Sequence, residues 1–152
     1  MRFRGIYAAI ALILPIVLFD ASQAGAQTDK PTFAGYKGVN IGMSMSDART
    51  KLGVPRDKSD AEDYYVYSDS ESVQVIYDTD KTVKVISINY LAKSDAPKPI
   101  DIFGTAIEPK PDGSISKMVK YPKAGYWISY LKTGGDQPLV MITVQKMRSG
   151  DQ

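Results

Sequence analysis

From Tyr64 onward the chain is written in a two-residue alternation of apolar and polar side chains, broken by Pro, Gly and Asp turns. A period of two sends successive side chains to opposite faces of a pleated strand, so such a chain has to build sheet rather than a helical bundle. Residues 64–67 are aromatic and β-branched, and Val73, Val75 and Tyr77 alternate with Gln74. After the turn Asp78-Thr79-Asp80-Lys81, residues 83–90 return. That return strand changes phase. Val83 and Val85 share one face, whereas Ile86, Ile88 and Tyr90 share the other, which a β-bulge near Val85 or burial of both faces would produce. Beyond Asp112-Gly113 three further strands follow, 116–121, 125–131 and 139–145, the last after Thr133-Gly134-Gly135-Asp136. Between the two sets, Ala96-Pro97-Lys98-Pro99 and Glu108-Pro109-Lys110-Pro111 read as stiff, extended segments. The halves echo each other, each running strand, strand ending in Tyr, turn, strand. The pattern predicts two three-stranded meanders, in halves 38–91 and 112–147, joined by a Pro-rich linker over 92–111.

One helix precedes the strands. Ser44 is placed to cap it, and Asp47 three residues on makes an S-x-x-D variant of the capping box. Met45, Ala48 and Leu52 fall at i, i+3 and i+7, one apolar stripe. Gly53 and Pro55 end the helix. About two turns of helix are not stable alone, so the stripe has to pack on the sheet. The expectation is an α+β domain over 38–147, a short N-terminal helix packed on an antiparallel β-sheet of about six strands.

The N-terminus carries a different message. Arg2 and Arg4 precede an apolar run over 6–19, and Ala24-Gly25-Ala26 supplies an A-x-A ending. This is the pattern of a secretory signal peptide over 1–26, cleaved after Ala26. The run is shorter than the roughly 20 residues a spanning helix needs. The expectation is a periplasmic or secreted protein with no transmembrane segment after cleavage. The absence of cysteine excludes a lipid anchor, and export without disulfides suits a bacterial periplasm. Residues 27–37 read as a flexible polar segment and 148–152 as a tail.

Composition narrows the chemistry. The chain has no Cys and no His, which excludes thiolate catalysis, Cys/His metal sites and histidine relays. Against 17 Asp plus Glu stand 19 Lys plus Arg, a net charge of +2, too small to argue for nucleic acid by bulk electrostatics. The acidic cluster Asp57, Asp60, Glu62 and Asp63 lacks the ligand order of a calcium loop and reads as a solvated loop. Asp78 and Asp80 read as a hairpin turn. Ser116 beside Lys117 is no catalytic pair, because neighbours on a strand point to opposite faces. No catalytic residue, metal ligand or cofactor is expected.

The stretch Gly38-Val-Asn-Ile-Gly42-Met43-Ser44-x-x-Asp47-Ala48-x-x-x-Leu52-Gly53-x-Pro55 resembles the opening of the SmpA/OmlA family, to which the outer-membrane assembly factor BamE belongs. Gly42, Met43, Ser44, Leu52, Gly53 and Pro55 match that opening, and Asp47 and Ala48 replace its more usual residues. The resemblance spans about 50 residues from Gly38 to Tyr90, and the architecture is similar to that of β-lactamase-inhibitor proteins. It implies a helical start leading into antiparallel strands and a role in the cell envelope without catalysis. The lipid-anchoring cysteine of BamE-like proteins has no counterpart here.

Aromatic residues are the most informative remaining content. Tyr64, Tyr65 and Tyr67 stand so close that both faces of their strand carry a phenol, and Tyr126, Trp127 and Tyr130 repeat the arrangement. Set among lysines such as Lys120 and Lys123, such rings would make a binding surface, since they bring large area at small entropic cost. The functional expectation is an exported, non-enzymatic interaction module of the cell envelope, binding a protein or an envelope component and no nucleic acid. A secreted hydrolase inhibitor of β-lactamase-inhibitor type is the alternative. A small carboxylate-dependent hydrolase is the third reading, and it requires a pocket with two acids.

Overall fold

In a computed structural model, which describes residues 30–92, 95–148 and 150, the first element is a tight hairpin. The leader read over 1–26, like part of the tail, lies outside the described residues. Strands β1 (Gly35–Tyr36) and β2 (Val39–Asn40) pair around Lys37 and Gly38, both at positive φ (46° and 80°). That is the backbone a two-residue hairpin needs to match strand twist. A Cβ on Gly35 would collide with the carbonyl oxygen of Val39. Tyr36 and Val39 are buried. The expectation of a flexible segment over 27–37 is corrected there, because Tyr36 is a core residue.

Helix α1 (Met45–Leu52) forms where the cap and stripe place it. Ser44 Oγ accepts the Asp47 N–H at 3.1 Å, Gly53 donates to Arg49 O at 3.0 Å, and Met45, Ala48 and Leu52 are buried. The segment entering the helix is tied to the sheet: Gly42 N–H donates to Val83 O, and Val83 N–H to Met43 O, each at 2.8 Å.

The main sheet comprises β3 (Asp57–Lys58), β4 (Glu62–Ser68), β5 (Glu71–Tyr77), β6 (Val83–Leu91), β7 (Ile115–Tyr121), β8 (Tyr126–Lys132) and β9 (Leu139–Lys146). All its pairings are antiparallel, in the order β3-β4-β5-β6-β9-β8-β7. The two meanders therefore share one continuous sheet and meet at β6–β9. Ile76 pairs with Val85 and Tyr77 with Val83, which leaves Lys84 as an extra residue. This bulge produces the phase switch in β6, with Val83 before it and Ile86, Ile88 and Tyr90 after it all facing the core. Short helix α2 (Pro99–Phe103) lies inside the linker read as extended. Pro99 sits at its start, where a missing N–H costs nothing, and Ile102 is fully buried.

The expected α+β arrangement is corrected. The described residues are mostly β, with a seven-stranded sheet and a separate two-stranded one, and only 14% of them are helical. The strands that escaped the sequence pattern, β1, β2 and β3, are two residues long, too short for an alternation to register. One helix of eight residues is not a layer. It shares the covering of the sheet with the β1–β2 hairpin and α2, whose Tyr36, Val39 and Ile102 join Ala48 and Leu52 over Val73, Val75, Ile86, Ile88, Ile128 and Ile142.

Candidate functional site

Period two divides the rings between the faces. Tyr65, Tyr126 and Tyr130 turn inward and are buried at 1%, 9% and 3% exposure. Tyr67 also packs on the core. Its hydroxyl donates to Leu52 O at 3.1 Å, and Lys37 Nζ sits 3.4 Å from its ring centroid. Burial pushes the Tyr65 phenol up to about 12. These four side chains are thus structural and drop out of the binding surface read from the sequence. Tyr64, Trp127 and Lys120 face the other way, while Lys123 stands exposed in a short turn after β7. Tyr64 and Trp127 lie on strands four places apart in the sheet, about 19 Å at the usual strand spacing, so they form no continuous aromatic strip.

What the sheet presents on that outer side is a grid. Strand partners form one row Glu62–Ile76–Val85–Gln145–Trp127–Lys120. The next row is Tyr64–Gln74–Ser87–Thr143–Ser129–Met118, and the third is Val66–Ser72–Asn89–Met141–Leu131–Ser116. Leu91 beside Leu139 closes the end. A solvated sheet face normally alternates to polar residues. Here Met118, Leu91, Val66 and Leu131 are 55%, 49%, 41% and 40% exposed. Hydroxyl and amide groups hold the middle, with Ser87 Oγ and Thr143 Oγ1 3.3 Å apart. Within these three rows formal charge stands at two corners, Glu62 and Lys120, while Asp57 of β3 lies beside Tyr64 and Arg56 and Asp69 border the same face. Four exposed apolar side chains, interrupted by these polar groups, set this face apart from a fully solvated one.

The covered side contains an ion pair that sequence reasoning missed. Asp63 was read within a solvated acidic loop, but it is fully buried. Arg49, reaching down from α1, donates through Nε at 2.7 Å to Oδ2 and through Nη2 at 2.8 Å to Oδ1, and Tyr77 Oη donates at 2.7 Å. The signal was present in the alternation, because Asp63 shares its strand face with Tyr65. Burial alone would raise the Asp63 pKa, but the hydrogen bonds from Arg49 and Tyr77 and the guanidinium charge outweigh it and hold the carboxyl below the usual carboxylate range. The Tyr77 phenol is pushed up, first by burial and then by its bond to Asp63.

A pH dependence follows. Because the folded pKa of Asp63 lies below its unfolded value, the pair stabilises the fold above about pH 4, and that contribution is lost as pH falls through the folded pKa. Acid unfolding followed by circular dichroism should therefore show a component below about pH 4 that Asp63→Asn lacks. Parallel acid profiles for the two proteins would contradict this assignment.

At the β4–β5 end of the outer face, an open pocket of about 480 Å³ is bordered by Tyr64, Val66, Asp69, Asn89, Leu91 and Leu139, among others. Asn89 Oδ1 is buried there without a hydrogen-bond partner. Asp69 and Glu71 are its acids, and Glu71 accepts a hydrogen bond from the core residue Tyr36. Among the described residues no group of three or more acids is placed to hold a metal ion. No protein-family model, curated protein or solved structure matches the chain.

Proposed function

We propose that this chain is an exported, non-enzymatic interaction module of the bacterial cell envelope, and that it docks a protein partner on the outer face of its sheet. The observation that carries the reading is the exposure of Met118, Leu91, Val66 and Leu131 on one side of a sheet whose other side is covered by α1, the β1–β2 hairpin and α2. Leaving such side chains in water forgoes about 25 cal/mol for each Å² of apolar surface that a partner would bury. The face is a mixture of apolar and polar groups with charge towards its edges, the composition of a non-obligate protein interface rather than of an unfinished core. The basic, apolar and small-residue order of the first 26 residues supports export.

The test is capture from envelope extract by the immobilised chain, comparing wild type with a Leu91→Glu/Leu131→Glu variant. Both positions are exposed, so the variant is expected to keep the wild-type circular dichroism and melting temperature to within a few degrees. Captured partner should fall at least tenfold. Equal capture by a folded variant would remove the outer face from the account.

A further inference from the structure

The pocket at the β4–β5 end of the outer face brings together two acceptors without partners among the described residues. Asn89 Oδ1 is buried and accepts no hydrogen bond. Asp69 stands exposed in the turn between β4 and β5, and nothing there bonds or pairs with its carboxylate. Few buried acceptors in a folded protein go without a donor, and one that does asks for an explanation. Asn89 lies within the sheet, paired with Ser72 on β5 and Met141 on β9, where the backbone donors go to the ladders. The last torsion of an Asn side chain is broad, so a small turn of the amide presents Oδ1 to the pocket beside it.

The charge around the opening points the same way. Asp69 and Glu71 line it and Asp57 lies beside Tyr64, against the single base Arg56. Glu71 accepts a hydrogen bond from Tyr36 on the covered side and acts on the pocket through its charge. Val66, Leu91 and Leu139 supply apolar surface, and Tyr64 supplies a ring. A ligand that suits this set carries N–H donors, positive charge and an apolar stem. An anion would find Arg56 but meet the carboxylates of Asp57, Asp69 and Glu71, and it would bring no donor to Asn89. A neutral hydroxyl compound would bond Asn89 and gain nothing from the charge of Asp69.

We infer that the pocket receives a basic side chain of the docking partner, with its methylene stem over Val66, Leu91 and Leu139. The inference rests on the docking reading above and supplies the chemistry of the anchor. A guanidinium fits better than an ammonium group, because its five donors in a fixed fork reach more than one acceptor and its plane stacks on a ring such as Tyr64. The volume of about 480 Å³ falls within the roughly 300–1,000 Å³ of sites that hold small ligands. Long basic side chains bury their stems on apolar surface, and Arg is among the residues that carry most of the energy of protein interfaces.

The probe is n-butylguanidinium, with butyrate as its anionic counterpart. Each is titrated at low ionic strength into the protein as its host processes it, and NMR follows the Asn89 side-chain amide and the Val66 and Leu91 methyl groups. Saturable shifts at those groups are expected with n-butylguanidinium, with a dissociation constant on the order of millimolar, and none with butyrate. Asp69→Asn should weaken binding about threefold, and Arg56→Ala, which removes the opposing charge, should strengthen it. Asn89→Leu should abolish binding and raise the melting temperature, because it removes an acceptor buried without a donor. Should Asn89→Leu lose its fold, Asp69→Asn, in an exposed turn, decides. Absence of saturation, equal shifts with butyrate, or binding indifferent to Asp69→Asn would overturn the inference. Capture from envelope extract separates it from the docking reading. Capture that Leu91→Glu/Leu131→Glu abolishes and Asp69→Asn leaves unchanged keeps the docking face and overturns the basic anchor. Capture indifferent to every variant overturns both.

Discussion

Replacing Arg49 by Met is expected to destabilise the fold by about 3–5 kcal/mol, among the largest effects available from a side chain that reaches the surface. Arg49 is 22% exposed and Asp63 not at all, so the variant strands a carboxylate inside the core with only the hydroxyls of Tyr77 and Tyr65 in reach. An ion pair drawn out of water gains little net free energy when both partners are present, but losing one leaves the desolvation of the other uncompensated. The double variant Arg49→Met/Asp63→Leu removes both charges and should be more stable than Arg49→Met alone. Urea unfolding of the two proteins measures the difference. A loss under about 1 kcal/mol for Arg49→Met would mean that water reaches Asp63 and that the helix is not pinned to β4 in this way. The same pair explains why so short a helix holds its place, for α1 is tied to the sheet through Arg49 as well as through its apolar stripe.

Tyr65→Ala and Tyr130→Ala should each cost about 3–5 kcal/mol, the range for emptying an aromatic site in a core. Both rings are almost fully buried, and Tyr130 Oη also donates to Pro97 O at 3.2 Å, which ties the linker to β8. Trp127→Ala, one residue from Tyr126 in sequence, should cost about 1 kcal/mol, because its ring lies half-buried on the outer face. The readout is the urea midpoint of each variant with its slope unchanged. Equal losses for Tyr130→Ala and Trp127→Ala would contradict the division of rings between a structural and a docking face.

That division shows how far the sequence carries. The helix was legible residue by residue, because cap, stripe and stop are all local: Ser44, then Met45, Ala48 and Leu52, then Gly53. The bulge was legible too, because a phase change in an alternating pattern has few physical causes. Legibility ended where a decision depends on distant chain. Whether the odd or even residues of 64–67 face the core is settled by what α1 and the hairpin bring over the sheet, and tyrosine is at home on either face. Asp63 looked solvated because its partner, Arg49, lies on another element. The short strands β1 and β3 exist through their pairing alone. The docking grid emerges only when six strand registers are laid side by side, since neighbours such as Trp127 and Gln145 are far apart in the chain.

Trp127 is the sole tryptophan, so its fluorescence reports on the outer face alone. Acrylamide quenching should be efficient for the dilute chain and should fall severalfold, with a shift of emission to shorter wavelength, once the docking partner is bound at saturating concentration. Quenching of Trp127 that stays the same in the free and the fully occupied protein would place the contact elsewhere and contradict the account.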